Sequence, residues 1–193
     1  LNPSHDFLRW NHFNNGAFNS KSAYNLGKNP SSCPVDNRAP SLFHWIWKVN
    51  TPSKVKLFLW LASQDQLPTI SLLAHRTFLS EASCPFCAAP SENSGHVLRL
   101  CNQATSFWFK LTQTSQTCSQ TNSDFYSWFK DGCSSTIPSH FNLIPWGTIF
   151  SLGCWSLWQA RNAKIFQKNF SDPIKFCLHR AFEFYLLGPD SHI

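Results

Sequence analysis

Methionine is absent from all 193 residues, and only 10 of them are acidic. With no methionine and a bulky Leu1 where an initiator would normally be trimmed, the sequence is expected to be an internal piece of a longer reading frame. The carboxylates are scattered, so no acidic set of the two-metal kind can be assembled from neighbours in the chain. Charged residues of both signs reach only 13%, against 42% hydrophobic, which excludes a chain kept unfolded by its own charge. The opening segment Leu1-Asn2-Pro3-Ser4-His5-Asp6 has neither a basic start nor an apolar run, so nothing in it reads as a secretion signal. Long apolar runs are missing too. Between Ser134 and Ala160 there is no formal charge, but Asn142, Pro145, Gly147, Gly153 and Gln159 interrupt the stretch, and a buried helix is expected there rather than a membrane span.

What is abundant is aromatic. Eighteen Phe and nine Trp point to an interior built on large rings. Sixteen Lys and Arg give a formal charge of +6, which suits acidic partners, nucleic acid first, or simply a soluble surface.

Eight cysteines lie at 33, 84, 87, 101, 118, 133, 154 and 177. Three of them, with one histidine, form the spacing Cys84-x2-Cys87-x8-His96-x4-Cys101. Two thiols on one tight turn, followed by an imidazole and a third thiol, are a ligand set that suits tetrahedral zinc. Pro85 stiffens the turn, and Pro90, Ser91, Asn93 and Gly95 form a loop able to bring the chain back. Four protein ligands leave no open position, so the expected role of the metal is structural. A redox pair at Cys84 and Cys87 is the rival, but no thioredoxin-like pattern surrounds it and His96 and Cys101 would be idle. Plain buried cysteine is the third alternative.

Along the chain, Phe7–Trp10 and Ala17-Phe18 read as a hairpin around Asn15-Gly16, and Ser20 as the cap of a short helix. Residues 29–41 and 111–123 read as flexible loops. Helices are expected after Thr51-Pro52, with Val55, Phe58, Leu59 and Ala62 on one face and Leu57 and Trp60 adding buried surface, and after Pro68-Thr69. Another is expected over Val97 to Trp108, carrying the last two zinc ligands. One more carries Ile149, Phe150, Cys154, Leu157 and Trp158, and a last one follows Asp172-Pro173 with Cys177, Ala181, Phe182 and Tyr185 on a stripe. The expected fold is mainly α, with a small N-terminal β-hairpin and one zinc staple. Its parts are a domain over 6–108 and a helical extension over 124–187.

These residues resemble the zinc-binding domain that follows the reverse transcriptase in plant LINE-type (non-LTR) retrotransposon polyproteins. The resemblance runs through Gly16-Ala17-Phe18-Asn19-Ser20-Lys21-Ser22-Ala23-Tyr24, Trp45-Ile46-Trp47-Lys48, Pro52-Ser53-Lys54-Val55-Lys56 and Phe58-Leu59-Trp60. It continues in Leu67-Pro68-Thr69, Cys84-Pro85-Phe86-Cys87, Glu92-x3-His96-x4-Cys101 and, more loosely, Trp155–Asn162. Gly95-His96-Val97 and Asn19 depart from the usual pattern but leave the ligands in place. The resemblance implies one zinc ion and an accessory module of an element-encoded polyprotein, with element RNA or DNA, or adjacent reverse transcriptase domains, as partners.

Neither the paired aspartates of a polymerase nor a ribonuclease H carboxylate set occurs in this sequence, so the expectation is a module that is not itself an enzyme. It is expected inside the cell, in nucleus or cytoplasm, with no membrane and no small-molecule substrate. Candidate phosphate contacts are Lys48, Lys54, Lys56, Arg161, Lys164 and Lys168. A helical platform for protein contacts, and a decayed element fragment, stand as alternatives.

Overall fold

Helix boundaries in this chain are set by proline and by short polar caps. The computed structural model describes residues 43–77, 82–112, 124–170 and 172–187. The expected hairpin, the Ser20 helix and the loop over 29–41 lie outside them. Seven α-helices occur among the described residues: α1 His44–Lys48, α2 Ser53–Ser63, α3 Ile70–Thr77, α4 Asn102–Thr112, α5 Phe125–Ser134, α6 Trp146–Ile165 and α7 Pro173–Leu187, with a π-helical turn over His96–Leu100. The described residues contain no sheet, only an isolated bridge between Pro138 and Pro145. The mainly helical expectation stands.

Pro52 and Pro145 sit at the N-caps of α2 and α6 in extended backbone, where a missing N–H costs nothing. Asp124 caps α5 by accepting from the Ser127 amide at 3.0 Å. Asp172 does the same for α7, accepting from the Ile174 amide at 2.7 Å, with Pro173 as the first helical residue. Of the loop expected over 111–123, residues 111 and 112 belong instead to α4, because Leu111 is fully buried and holds the last turn down, and the rest lies outside the described residues.

Helix α6 is the axle of the fold. It packs on α2, α5, α7 and the π-turn, and residues such as Ile149, Phe150, Cys154 and Leu157 are buried along with most of its other faces. A helix apolar on all sides belongs in a core. No helix among the described residues is long and apolar enough to cross a membrane. One apolar cluster joins α2, α4, α5, α6 and α7, so residues on both sides of position 112 share a single interior.

Rings fill that interior. Trp108 stacks on Phe150 at 4.9 Å, and Trp128 meets the same Phe150 edge-on at 4.9 Å. The Trp108 indole N–H donates to the Leu98 carbonyl at 2.8 Å, which ties α4 to the π-turn. Close approach of α5 and α6 depends on Gly147, where an added Cβ would lie 2.4 Å from the Cys133 carbonyl oxygen. The expected burial of α2 holds for Val55, Phe58, Leu59 and Ala62, but Leu57 is exposed, pointing away from α6.

Candidate metal centre

The knuckle is built from its own backbone. The Cys84 amide donates to the Ala89 carbonyl at 2.8 Å and the Ala88 amide to the Cys84 carbonyl at 3.0 Å. Ala88 takes a φ of 55°, the left-handed conformation that lets the chain double back just after Cys87.

His96 is placed by capping. Its amide donates to Asn93 Oδ1 at 2.8 Å, and the preceding Ser94 amide donates to Asp65 Oδ1 at 2.8 Å, which anchors the loop to the end of α2. A regular helix over 97–108 carrying both remaining ligands does not form. Residues five apart on an α-helix point about 140° away from one another around the axis, so His96 and Cys101 could not face one ion. The chain instead makes a π-turn, closed by the Cys101 amide donating to the His96 carbonyl at 2.7 Å, and Cys101 itself is extended before α4 starts at Asn102.

The outcome is convergence. One ligand atom from each of Cys84, Cys87, His96 and Cys101 lies within 4.8 Å of all the others. Cys87 Sγ is 3.2 Å from His96 Nε2. Zinc bonds of about 2.3 Å to sulfur and 2.0 Å to nitrogen would set tetrahedral ligand atoms about 3.5–3.8 Å apart, so a small inward adjustment accommodates the ion. The three thiols are free rather than disulfide-bonded. Donor chemistry and spacing therefore fit one zinc.

The electrostatics of the four groups differ. The backbone N–H of Ala89 beside the Cys87 sulfur lowers its pKa, and hydrogen bonds from Cys84 and Cys101 add to this. Burial pushes the Cys101 thiol up to about 11, with the neighbouring cysteine sulfurs adding to the rise. Burial lowers the His96 pKa, keeping the imidazole in the neutral form a metal requires.

Behind the site lies a contact that the charge pattern did not reveal. Glu92, fully buried, accepts from Arg161 at both oxygens, 3.2 Å from Nε and 2.5 Å from Nη2, and also from the Ile70 amide at 2.8 Å. Glu92 thus joins the zinc loop, the N-terminus of α3 and α6. The signal in the sequence was slight: an acid four residues before His96 and the first charge after a long uncharged run.

That pair corrects one expectation. Arg161 is not a surface phosphate contact: its side chain is buried, committed to Glu92 and lying over the Trp158 ring at 5.0 Å. Lys48, Lys54, Lys164 and Lys168 are exposed, while Lys56 is half-buried and donates to the Trp47 carbonyl at 3.0 Å. Lys164 lies over the Phe86 ring of the knuckle at 5.6 Å.

Comparison with known proteins agrees with the site. A protein of Arabidopsis thaliana named "putative ribonuclease H protein" is 32% identical over 183 residues, covering 93% of this chain and 29% of its own length. The chain thus spans less than a third of that relative. The enzyme name corrects the expectation of a protein outside enzyme families, which rested on carboxylates sought within these residues alone. No solved structure matches. Residues 18–108 match the model of the family described as zinc-binding in reverse transcriptase, and the Cys84, Cys87, His96 and Cys101 cluster lies within the matched residues.

Proposed function

We propose that Cys84, Cys87, His96 and Cys101 ligate one zinc ion, and that the domain so fixed helps a larger polypeptide of the ribonuclease H kind associate with nucleic acid. The observation that carries the metal reading is the convergence of three thiols and one imidazole within 4.8 Å. A bound ion would cross-link the knuckle to the π-turn and so to α4, and through the loop at Glu92 to α6. Such a site contributes on the order of 10 kcal/mol to local folding. In support of the nucleic-acid reading stand the +6 charge and the exposed Lys48, Lys54, Lys164 and Lys168. The name of the Arabidopsis relative points the same way.

Metal analysis tests the first part. The native chain is expected to carry one zinc, and a Cys84→Ser, Cys87→Ser variant none, with loss of helical signal. A native chain that purifies metal-free and takes up no zinc sinks it. Titration with single-stranded RNA or DNA at several salt concentrations tests the second part: log K should fall as log salt rises. A second reading, a platform for neighbouring polymerase domains, is favoured by Phe182, Tyr185 and Leu186, which stand exposed together on α7. Binding to nucleic acid that ignores salt, or no binding, would favour it.

A further inference from the structure

A cavity away from the metal centre brings aromatic side chains and polar groups together. It lies between the start of α2, the middle of α6 and the second half of α7, and measures about 210 Å³. Val55 and Leu152 line it together with Trp155 and Phe176, and each of these two rings carries a cation. The Lys54 ammonium is 5.7 Å from the centre of the Trp155 ring, and the Arg180 guanidinium is 5.6 Å from that of Phe176. Gln159 and Glu183 also face the space. Glu183 Oε2 accepts from Arg180 Nη1 at 3.2 Å, and His179 Nδ1 lies 3.4 Å from the same oxygen. Neither the Lys54 ammonium nor the Gln159 amide has a hydrogen-bond or ion-pair partner among the described residues.

The ligand that uses all of these features is planar, aromatic and attached to an anion. A nucleobase has two π-faces for Trp155 and Phe176, and base–aromatic stacking is worth about 1–3 kcal/mol per base. Its edge offers donors and acceptors to Gln159, and an exocyclic amine to Glu183. Its phosphate would meet Lys54. A bare anion would be opposed by Glu183, and a purely apolar group would leave Lys54 and Gln159 idle. In a duplex the base faces and edges are already taken, so the strand must be single.

We propose that this cavity binds one unpaired nucleotide of a single-stranded nucleic acid, the base between Trp155 and Phe176 and the phosphate at Lys54. The proposal rests on the nucleic-acid reading given above and places it at a defined site. Glu183 makes a base with an exocyclic amine the better occupant, so cytosine should be held more tightly than uracil.

The test uses the zinc-loaded chain and fluorescein-labelled oligocytidylate, followed by anisotropy over a range of salt, with oligouridylate beside it. Trp155→Leu is expected to weaken oligocytidylate binding by about fivefold or more, and Gln159→Leu by about threefold, both with the salt slope unchanged. Lys54→Gln should reduce that slope by about one phosphate contact. Zinc content and circular dichroism equal to the unmodified chain establish that each variant is folded. Because Trp155 also packs edge-on against Phe58 at 5.2 Å, Gln159→Leu provides the arm that leaves the core alone. If the unmodified chain binds oligocytidylate but folded Gln159→Leu and Lys54→Gln bind as it does, the cavity is not the site, while the nucleic-acid reading survives. If the unmodified chain binds no oligonucleotide even at low salt, both fall.

Discussion

Replacing Arg161 by leucine should be among the most damaging single changes outside the metal ligands. In the folded chain the Glu92 carboxylate has three donors, two from Arg161 at 3.2 and 2.5 Å and the Ile70 amide at 2.8 Å, and no solvent exposure. Arg161→Leu removes two of the three and leaves a buried, uncompensated negative charge. Breaking a buried pair in this way costs about 3–5 kcal/mol, against a total stability of about 5–15 kcal/mol for an ordinary domain. Removing both charges is different. Glu92→Met with Arg161→Leu leaves mainly the Ile70 amide unpaired, a loss of about 1–3 kcal/mol, so the double variant should be more stable than Arg161→Leu alone. Urea unfolding followed by circular dichroism, with zinc held at one excess concentration throughout, measures the native chain, Arg161→Leu, Glu92→Met and the double variant. A loss below about 1 kcal/mol for Arg161→Leu would show that water reaches Glu92 easily, and losses that simply add in the double variant would show no coupling. Either result would refute the reasoning.

Other expectations follow from the same interior. Burial pushes the Cys133 and Cys177 thiols up to about 12 and raises Cys154 as well, so in the folded chain at neutral pH these three should react with N-ethylmaleimide only as fast as the protein unfolds. Rapid labelling of any of them, read by peptide mass spectrometry, would contradict their placement. Gly147→Ala should destabilise by about 1–3 kcal/mol, because the new methyl would meet the Cys133 and Ser135 carbonyl oxygens, and a thermal melt unchanged from the native one would count against that packing. At α5, the Ser127 backbone N–H holds the Asp124 carboxyl below its usual pKa. Since the folded value lies under the unfolded value of about 3.9, the cap's contribution is complete above that pH and fades as pH falls through the folded value. The stability advantage of native chain over Asp124→Ala should therefore shrink in acid, and an advantage constant from neutral to strongly acid pH would mean the carboxylate charge is irrelevant.

The cluster of Cys84, Cys87, His96 and Cys101 was legible because it is a matter of chemistry and spacing. Three cysteines and a histidine at short intervals around a proline-stiffened turn need little knowledge of the fold to be grouped. Helix starts at Pro52 and Pro173 were legible for a similar reason: a proline restricts its own backbone whatever surrounds it, whereas Pro145, read only as an interruption, proved to be the N-cap of α6. The regular helix expected through His96 and Cys101 failed because apolar periodicity in Val97, Leu98, Ala104 and Trp108 reports burial, and burial is compatible with a π-turn as well as with an α-helix.

Arg161 shows the limit most clearly. As one of several cations after a long uncharged run it is indistinguishable in sequence from Lys164 and Lys168, yet one side chain is buried on Glu92 and the other two stand in solvent. Sequence alone determined the grouping of three cysteines and a histidine, the helix starts at Pro52 and Pro173 and the aromatic character of the core, all of which are properties of a residue and its near neighbours. Tertiary structure decided the turn that aims His96 and Cys101 at a common point, the partner of Glu92, and which rings and cations share the α2–α6–α7 cavity. Those depend on pairs as far apart as Glu92 and Arg161, and contacts of that range are fixed only when the whole interior packs at once.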